Sequence, residues 1–419
     1  MESLEVSRLD HLGIVSGVID DLGLVDAINA RLKKDKNGLE AISPGEAVKG
    51  MILNGLGFVA KPLSLTPLFF LHKSLAILFH PGVTAADFNR FKLGRTLDQI
   101  FVYGADRLFS ELAFTVCVQE GVDQRFNSAD TTTFAVTGDS YPDSDEHAVK
   151  ITHGYSKDHR PDLKQAVHEL MVSQDGGVPL LMQTWNGNES DSIILRERTK
   201  ALVHEFSNSN ICRYLIADAK LYDAGNAPHL AKLHFITRIP SKLKQEQALI
   251  SKSIISDTWQ RLDNDHQYVC HSLTHYDIAQ RWLVVRSTGS IQRANTTLQR
   301  RVTKEAAELT SCLKKLTATP VTCKDDAMLA VQQLLKGTRY HTVKLVTIDA
   351  VLDDAKQKQM QNHGLPPQYK YQVHTQMQRN DQAIQAALDQ SSCYVIGTNI
   401  PAQELSAQEV ITAYKAAKH

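Results

Sequence analysis

Two aspartates stand where aspartate needs a reason to be. Asp130 lies inside the run Ser128-Ala129-Asp130-Thr131-Thr132-Thr133, whose threonines suit a strand, and aspartate is disfavoured within strands. Asp218 closes the apolar run Leu215-Ile216-Ala217-Asp218. Each has an ordinary explanation taken alone, a strand end or bulge for Asp130 and a cap on the following turn for Asp218. Taken together they have a chemical one. Two carboxylates brought to one point repel unless a cation lies between them, and hard cations such as Mg²⁺ take oxygen ligands. Two such ions can activate a water and stabilise a leaving oxygen in phosphoryl transfer. A third feature is the short segment from His153 to Gln165, which holds Lys157, His159, Arg160 and Lys164 together with Asp158 and Asp162. It reads either as a solvated loop with its charge partly offset or as a set of cationic donors for phosphates near Asp130.

Whether the two aspartates meet depends on the elements that carry them. After Gly121 the sequence changes to strand character. Residues 125–136, 166–172 and 178–184 are candidate strands, the last two joined by Ser173-Gln174-Asp175-Gly176-Gly177, a strong hairpin signal. A helical run follows, with Ile194, Leu195, Ala201, Leu202 and Phe206 at helical spacing. Residues 213–217 form a short apolar strand, 227–233 a short helix, and 234–239 another strand stopped by Pro240. The order β-β-β-α-β-α-β gives three antiparallel strands and two more reached through helical crossovers. This is the order of a ribonuclease-H-like, mixed five-stranded sheet. Its first and fourth strands are central neighbours, so Asp130 and Asp218 project toward one point.

The flanking regions differ in character. Residues 1–121 read as a helical domain for DNA binding or assembly. Ser43-Pro44-Gly45-Glu46 opens a helix with a capping box and a proline at its first position. Val48, Met51, Ile52, Leu56 and Val59 share one face of that helix, while Gly50, Gly55 and Gly57 weaken it by up to about 1 kcal/mol each relative to alanine. A later helix carries Phe101, Ala105, Leu108, Phe109, Leu112 and Val116 on one stripe. Arg90, Lys92 and Arg95, just before it, are either a solvated face or a DNA-facing patch. The core's first part then spans 122–240. Residues 241–390 read as an α+β insertion with strands at 268–275, 281–285 and 343–348. Its helices at 296–316 and 325–335 carry Arg300, Arg301, Lys304, Lys314 and Lys315 on the first of them. Residues 391–419 return to the core with the strand Cys393–Gly397 and a last helix capped by Ser406 and Glu409.

These pieces resemble a known family. SADTTTF, HGYSKDHRPDLKQ, YLIADAKLYD, FITRIP, QRWLVV and YVIGTNI followed by LSAQEVITAYK are similar, in the same order and nearly end to end, to the DDE-type transposases of bacterial insertion sequences. The similarity is to the branch of the IS-four superfamily with a helical N-terminal domain. HGYSKDHRPDLKQ is the most specific piece. The resemblance implies a ribonuclease-H-like core, two Mg²⁺ or Mn²⁺ ions, and an Asp-Asp-Glu triad whose first member falls on Asp130 and second on Asp218. It implies double-stranded DNA as partner, both element ends and target, with a homodimer assembled on it, and a cytoplasmic, nucleoid-associated location. With that partner, the local cationic patches expected to meet DNA are Lys157, His159, Arg160 and Lys164 of the loop and Arg300 and Arg301 of the insertion helix. The family glutamate is expected just after Tyr414-Lys415, and no acidic residue follows Lys415. The expectation is therefore a copy impaired by truncation, which binds DNA without cutting it. The alternatives are a non-catalytic DNA-binding remnant that regulates transposition and a metal-dependent nuclease.

Composition bounds these readings. The chain has 419 residues, of which 42% are apolar, enough for two or three domains. Lys+Arg and Asp+Glu both number 46, so DNA contact must come from local patches. Cys117, Cys212, Cys270, Cys312, Cys323 and Cys393 give no disulfide framework, and no signal peptide or bilayer-spanning segment is read. His266, Cys270, His271 and His275 crowd one segment, but their spacing fits no standard zinc site.

Overall fold

The computed structural model describes residues 9–33, 40–138, 148–206, 213–319, 321–352 and 369–417. Cys212 lies outside them. The molecule is a mixed α/β protein that divides into two compact units, Met1–Ile236 with Thr412–His419, and Thr237–Ile411. Among the described residues, no helix is long and apolar enough to cross a membrane.

The first unit begins with helices: α1 (Leu12–Asp21), α2 (Leu24–Arg31), α3 (Pro44–Gly55), α4 (Thr66–Phe70), α5 (Leu75–Leu78), α6 (Arg90–Tyr103) and α7 (Ala105–Gln119). Ser43 and Glu46 close the capping box of α3 as the sequence predicts, with the Ser43 amide donating to Glu46 Oε2 at 2.7 Å. The buried side of α3 is only partly the predicted one, for Val48 and Met51 pack half-buried against the helical core. Ala47, Gly50, Leu53 and Asn54 face the core, while α3 stops at Gly55 and leaves Leu56 and Val59 exposed. Gly50 explains the difference, because a Cβ there would lie 2.4 Å from the Phe88 ring. The missing side chain is the slot into which Phe88 packs, beside Leu12, Leu53, Phe70 and Leu78. The predicted stripe from Phe101 to Val116 is also two helices, broken at Gly104, with Phe101 exposed.

The strands of this unit follow the predicted order. β1 (Phe126–Val136) pairs antiparallel with β2 (Lys164–Ser173), and β2 antiparallel with β3 (Pro179–Trp185). Helix α8 (Asp191–Phe206) leads to β4 (Tyr214–Ala217), which lies parallel to β1, with Ala129 opposite Ala217. The short helix α9 (Ala227–Leu230) leads to β5 (His234–Arg238), whose last two residues belong to the second unit. The sequence of neighbours is β3-β2-β1-β4-β5.

The second unit holds α10 (Lys244–Ser256), β6 (Gln260–Arg261), β7 (His266–His275), β8 (Ile278–Ser287), α11 (Thr288–Ala318) and α12 (Lys324–Leu335). After them come β9 (His341–Leu352), β10 (Tyr369–Arg379), the helix Asp381–Ser392 and β11 (Cys393–Thr398). β9 and β10 form a separate antiparallel pair. The other strands correct the expectation of a five-stranded sheet with a self-contained insertion. The return strand β11 pairs antiparallel with β8, and β8 with β7, in the order β11-β8-β7-β6. The reason lies in β8, where Trp282, Leu283, Val284 and Val285 are all buried. Four consecutive apolar residues need cover on both faces, which only an interior strand provides.

Candidate active site

The β1–β4 register brings the two predicted aspartates together. Ala129 is opposite Ala217, so the next residue on each chain is Asp130 and Asp218. Asp130 sits mid-strand, opposite Leu170 of β2, so neither a strand end nor a bulge explains it. Its side chain is 86% exposed, on the open face of β1. Asp218 does cap the turn after β4, accepting from the Lys220 amide at 2.9 Å. The capping role and the position beside Asp130 coexist.

Two further residues complete the cluster. Asp191, the first residue of α8, accepts from Thr131 Oγ1 at 2.7 Å and is bonded through Oδ2 to the Lys220 ammonium. Lys157 reaches in from the loop before β2. Its Nζ lies 4.0 Å from Asp130 Oδ1 and 3.7 Å from Asp191 Oδ2, and donates to Thr131 Oγ1 at 2.6 Å and to the Thr131 carbonyl. That loop is fixed by close backbone approach. Gln165 Nε2 donates to the Gly187 carbonyl at 2.8 Å, and a Cβ on Gly187 would fall 1.9 Å from the Gln165 carbonyl oxygen. Helix α8 is fixed by a buried ion pair. Arg198 Nε meets Glu169 Oε1 at 2.7 Å, and Trp185 Nε1 donates to Glu169 Oε2 at 2.9 Å. Glu169 stands opposite Thr131 in the β1–β2 register, so this bond seats α8 over the face that carries Thr131.

The charges shape each other. Desolvation raises the Asp218 pKa above the ordinary carboxylate value, although part of the residue reaches solvent. The Lys220 amide and ammonium oppose that rise, and repulsion from Asp130 and Asp191 adds to it. Burial also works against ionisation of Asp191, but the Lys220 and Thr131 hydrogen bonds and the nearby Lys157 outweigh it and lower its pKa. Burial of Lys220 is likewise outweighed by Asp191 and Asp218, which raise its pKa.

Asp130 and Asp218 offer the hard oxygen donors that a divalent cation takes. Asp191 does not join them as a third donor. Alternation along β1 sends Asp130 and Thr131 to opposite faces, and Asp191 follows Thr131. Accordingly, among the described residues no group of three or more acidic, histidine or cysteine side chains is placed to hold a metal ion.

Neither Asp191 nor Lys220 was among the candidate residues read from the sequence. Of the predicted DNA contacts, Lys157 is at the site. Arg160 is exposed and paired with Asp162 at 2.7 Å, His159 occupies a left-handed turn with φ 58°, and Lys164 begins β2. Arg300 and Arg301 are exposed on α11 in the second unit. Lys92 corrects the first candidate patch, since it is buried against Glu40 at 2.5 Å rather than facing outward. The histidine segment on β7 has ordinary partners, with His266 on Asp263 and His271 on Ser253.

Comparison with known proteins adds three findings. Residues 4–114 match DUF4277, a domain of unknown function. The DUF4277 match takes in α1 to α6 and most of α7. No curated protein matches the chain. Among solved structures it is similar to the piggyBac transposase in the cryo-EM structure of its synaptic complex with hairpin DNA, at 12% identity and a TM-score of 0.30, over 66% of this chain and 57% of that one. The chain thus spans less than two thirds of that protein's length, and a likeness of this degree decides neither fold nor activity.

Proposed function

We propose that this chain is a transposase polypeptide of a bacterial insertion sequence. In this reading Asp130 and Asp218 hold a divalent cation against a DNA phosphodiester, and Lys157 and Lys220 bind its phosphate. The observation that carries the reading is the β1–β4 register, which sets Asp130 beside Asp218 with two ammonium groups around them. The sequence resemblance supports it independently. The reaction would be in-line displacement at phosphorus. A water oxygen bonds to phosphorus, the bond to the 3′ oxygen breaks, and the departing oxygen takes up a proton. The freed 3′-hydroxyl then displaces a 3′ oxygen of target DNA in the same manner. Bound Mg²⁺ or Mn²⁺ would lower the pKa of the attacking water and neutralise charge on the leaving oxygen. The chain's own contribution is to place groups. Lys157 and Lys220 supply N–H donors for non-bridging phosphate oxygens, and Asp191 fixes where those donors stand. With Asp191 engaged by Thr131 and Lys220, the described site offers two carboxylates for metal, and cutting on two is expected to be weak.

Mn²⁺ binding to the full chain, measured by titration calorimetry, tests the reading directly. Asp130→Asn and Asp218→Asn should each weaken Mn²⁺ binding roughly tenfold, as loss of a charged ligand costs on the order of 1–3 kcal/mol. Equal affinity in wild type and both variants would overturn the assignment.

A further inference from the structure

Helix α11 runs for 31 residues and divides its two sides sharply. Ala294, Leu298, Val302, Leu309 and Leu313 are buried, and Leu298 and Val302 pack with Tyr340, Ile384 and Ala387. Arg293, Arg300, Arg301, Lys304, Lys314 and Lys315 are all exposed. At 3.6 residues per turn these six fall within a sector of about 140° on the opposite side. The helix has two acids, Glu305 and Glu308, and only Glu308 offsets a cation of this face. Glu305 is turned away, accepting from the amides of Arg339 at 2.9 Å and Tyr340 at 2.7 Å and bonded to His341 at 3.0 Å. Glu308 lies 3.8 Å from Lys304. Among the described residues, no ion pair engages Arg293, Arg300, Arg301, Lys314 or Lys315. In a chain with zero net charge, this is a strong local segregation.

We infer that the outer face of α11 is a docking ridge for the sugar-phosphate backbone of duplex DNA. This deepens the transposase reading by assigning a surface to its partner. Arg293 and Lys315 are ~33 Å apart along the axis at 1.5 Å per residue, close to one turn of B-DNA at about 34 Å. Thr297, Thr303 and Ser311 lie exposed among the cations and add hydroxyl donors of the kind that bind phosphate. Two other polyanionic partners fit poorly. Unpaired bases need aromatic platforms, and α11 contains no aromatic residue. A membrane surface needs apolar side chains beside the charges to enter the lipid, and the apolar residues of α11 are on its other side. Apart from Glu308, which pairs with Lys304, the charged groups of the ridge are cations that bind phosphate, so it follows the duplex without reading its sequence.

The test is the salt dependence of duplex binding by the full chain, read by fluorescence anisotropy on a 30-base-pair DNA with EDTA present. Each phosphate contact contributes about −0.9 to the slope of log K against log salt. A variant with Arg293→Gln, Arg300→Gln, Arg301→Gln and Lys304→Gln should flatten that slope by about 2 or more and weaken binding at least tenfold at low salt. Lys314→Gln with Lys315→Gln should flatten it by up to about 1.8, and this pair decides the matter if the larger variant fails to fold. Unchanged slopes in the folded variants would overturn the ridge. Equal or tighter binding to single strands or to phosphatidylserine vesicles would overturn the duplex as its partner. EDTA removes any metal, so the slope is read without an ion between Asp130 and Asp218, and the Mn²⁺ titration of that pair is a separate measurement. A failed ridge and a failed metal site therefore give separate results.

Discussion

At the scale of single residues, Asp191 decides how the site behaves. It is the one carboxylate of the cluster whose pKa is held down by lysine, and it ties Lys220 and, through Thr131, Lys157 to a fixed place. These ammonium groups stand beside the carboxylates proposed to hold metal, so they compete with a cation for the same negative charge. Lys220→Met should therefore tighten Mn²⁺ binding several-fold, since a positive charge near a metal site opposes the ion, while weakening duplex binding. Calorimetry and anisotropy read the two effects separately, and a Lys220→Met chain with weaker Mn²⁺ binding would contradict this picture. Glu169 shows the reverse case, a charge whose work is structural. It is fully buried and shared by Arg198 and Trp185. Glu169→Gln leaves the Arg198 guanidinium buried without its counter-charge and should cost about 3–5 kcal/mol, visible in denaturant unfolding. Asp130 was legible because aspartate is foreign to a strand, and Asp218 because it closes an apolar run that reads as one. Asp191 was not, because an acid in the first turn of a helix favours the helix dipole wherever it stands.

At the scale of elements, the site rests on a loop locked by contact between backbones. The approach of Gly187 to Gln165 leaves no room for a side chain, and Gly154 meets Gly187 just as closely, since a Cβ on Gly154 would fall 2.0 Å from the Gly187 carbonyl oxygen. Gly187→Ala must push the loop from β2 and carry Lys157 out of the cluster. Overpacking of this kind typically costs about 1–3 kcal/mol. The expected results are faster tryptic cleavage after Lys157 and weaker duplex binding, and wild-type protection would show that the loop can shift without losing its place. Elements with a clear period or an apolar run were readable in advance, β1 to β5 and α11 among them. β10 was not, since Tyr369–Arg379 is mostly polar and is held by pairing with β9 and by the burial of the single residue Val373 against Ala327 and Val331. α10 and the helix Asp381–Ser392 were missed for the same reason, as few of their side chains are buried. The glycines of α3 misled in a different way. A residue that weakens a helix alone can strengthen the protein when a ring fills the space it leaves, and that depends on Phe88, distant in sequence.

At the scale of the whole molecule, charge is balanced in total and unequal in place, and the second unit adds a pH dependence of its own. Glu246, in the first turn of α10, is 3% exposed. Burial raises its pKa from 4.5 to about 7, with Arg238 opposing the rise. The unfolded chain therefore releases this proton near pH 4.5 and the folded chain near pH 7. Between these values the folded state holds more protons, so stability falls as pH rises through the window. Below it the group costs nothing. Above it the full difference is lost, about 3 kcal/mol at 1.36 kcal/mol per pKa unit. Glu246→Gln keeps the shape and removes the proton equilibrium, so it should stabilise the protein at pH 8 and change little at pH 4.5. Hydrogen exchange makes the measurement local. Amides of β8 and β11, which belong to the same unit, should exchange more slowly in Glu246→Gln than in wild type at pH 8, with β1 and β2 unaffected. If wild type and variant lose protection equally between pH 5 and pH 8, the buried carboxyl is not the group that titrates.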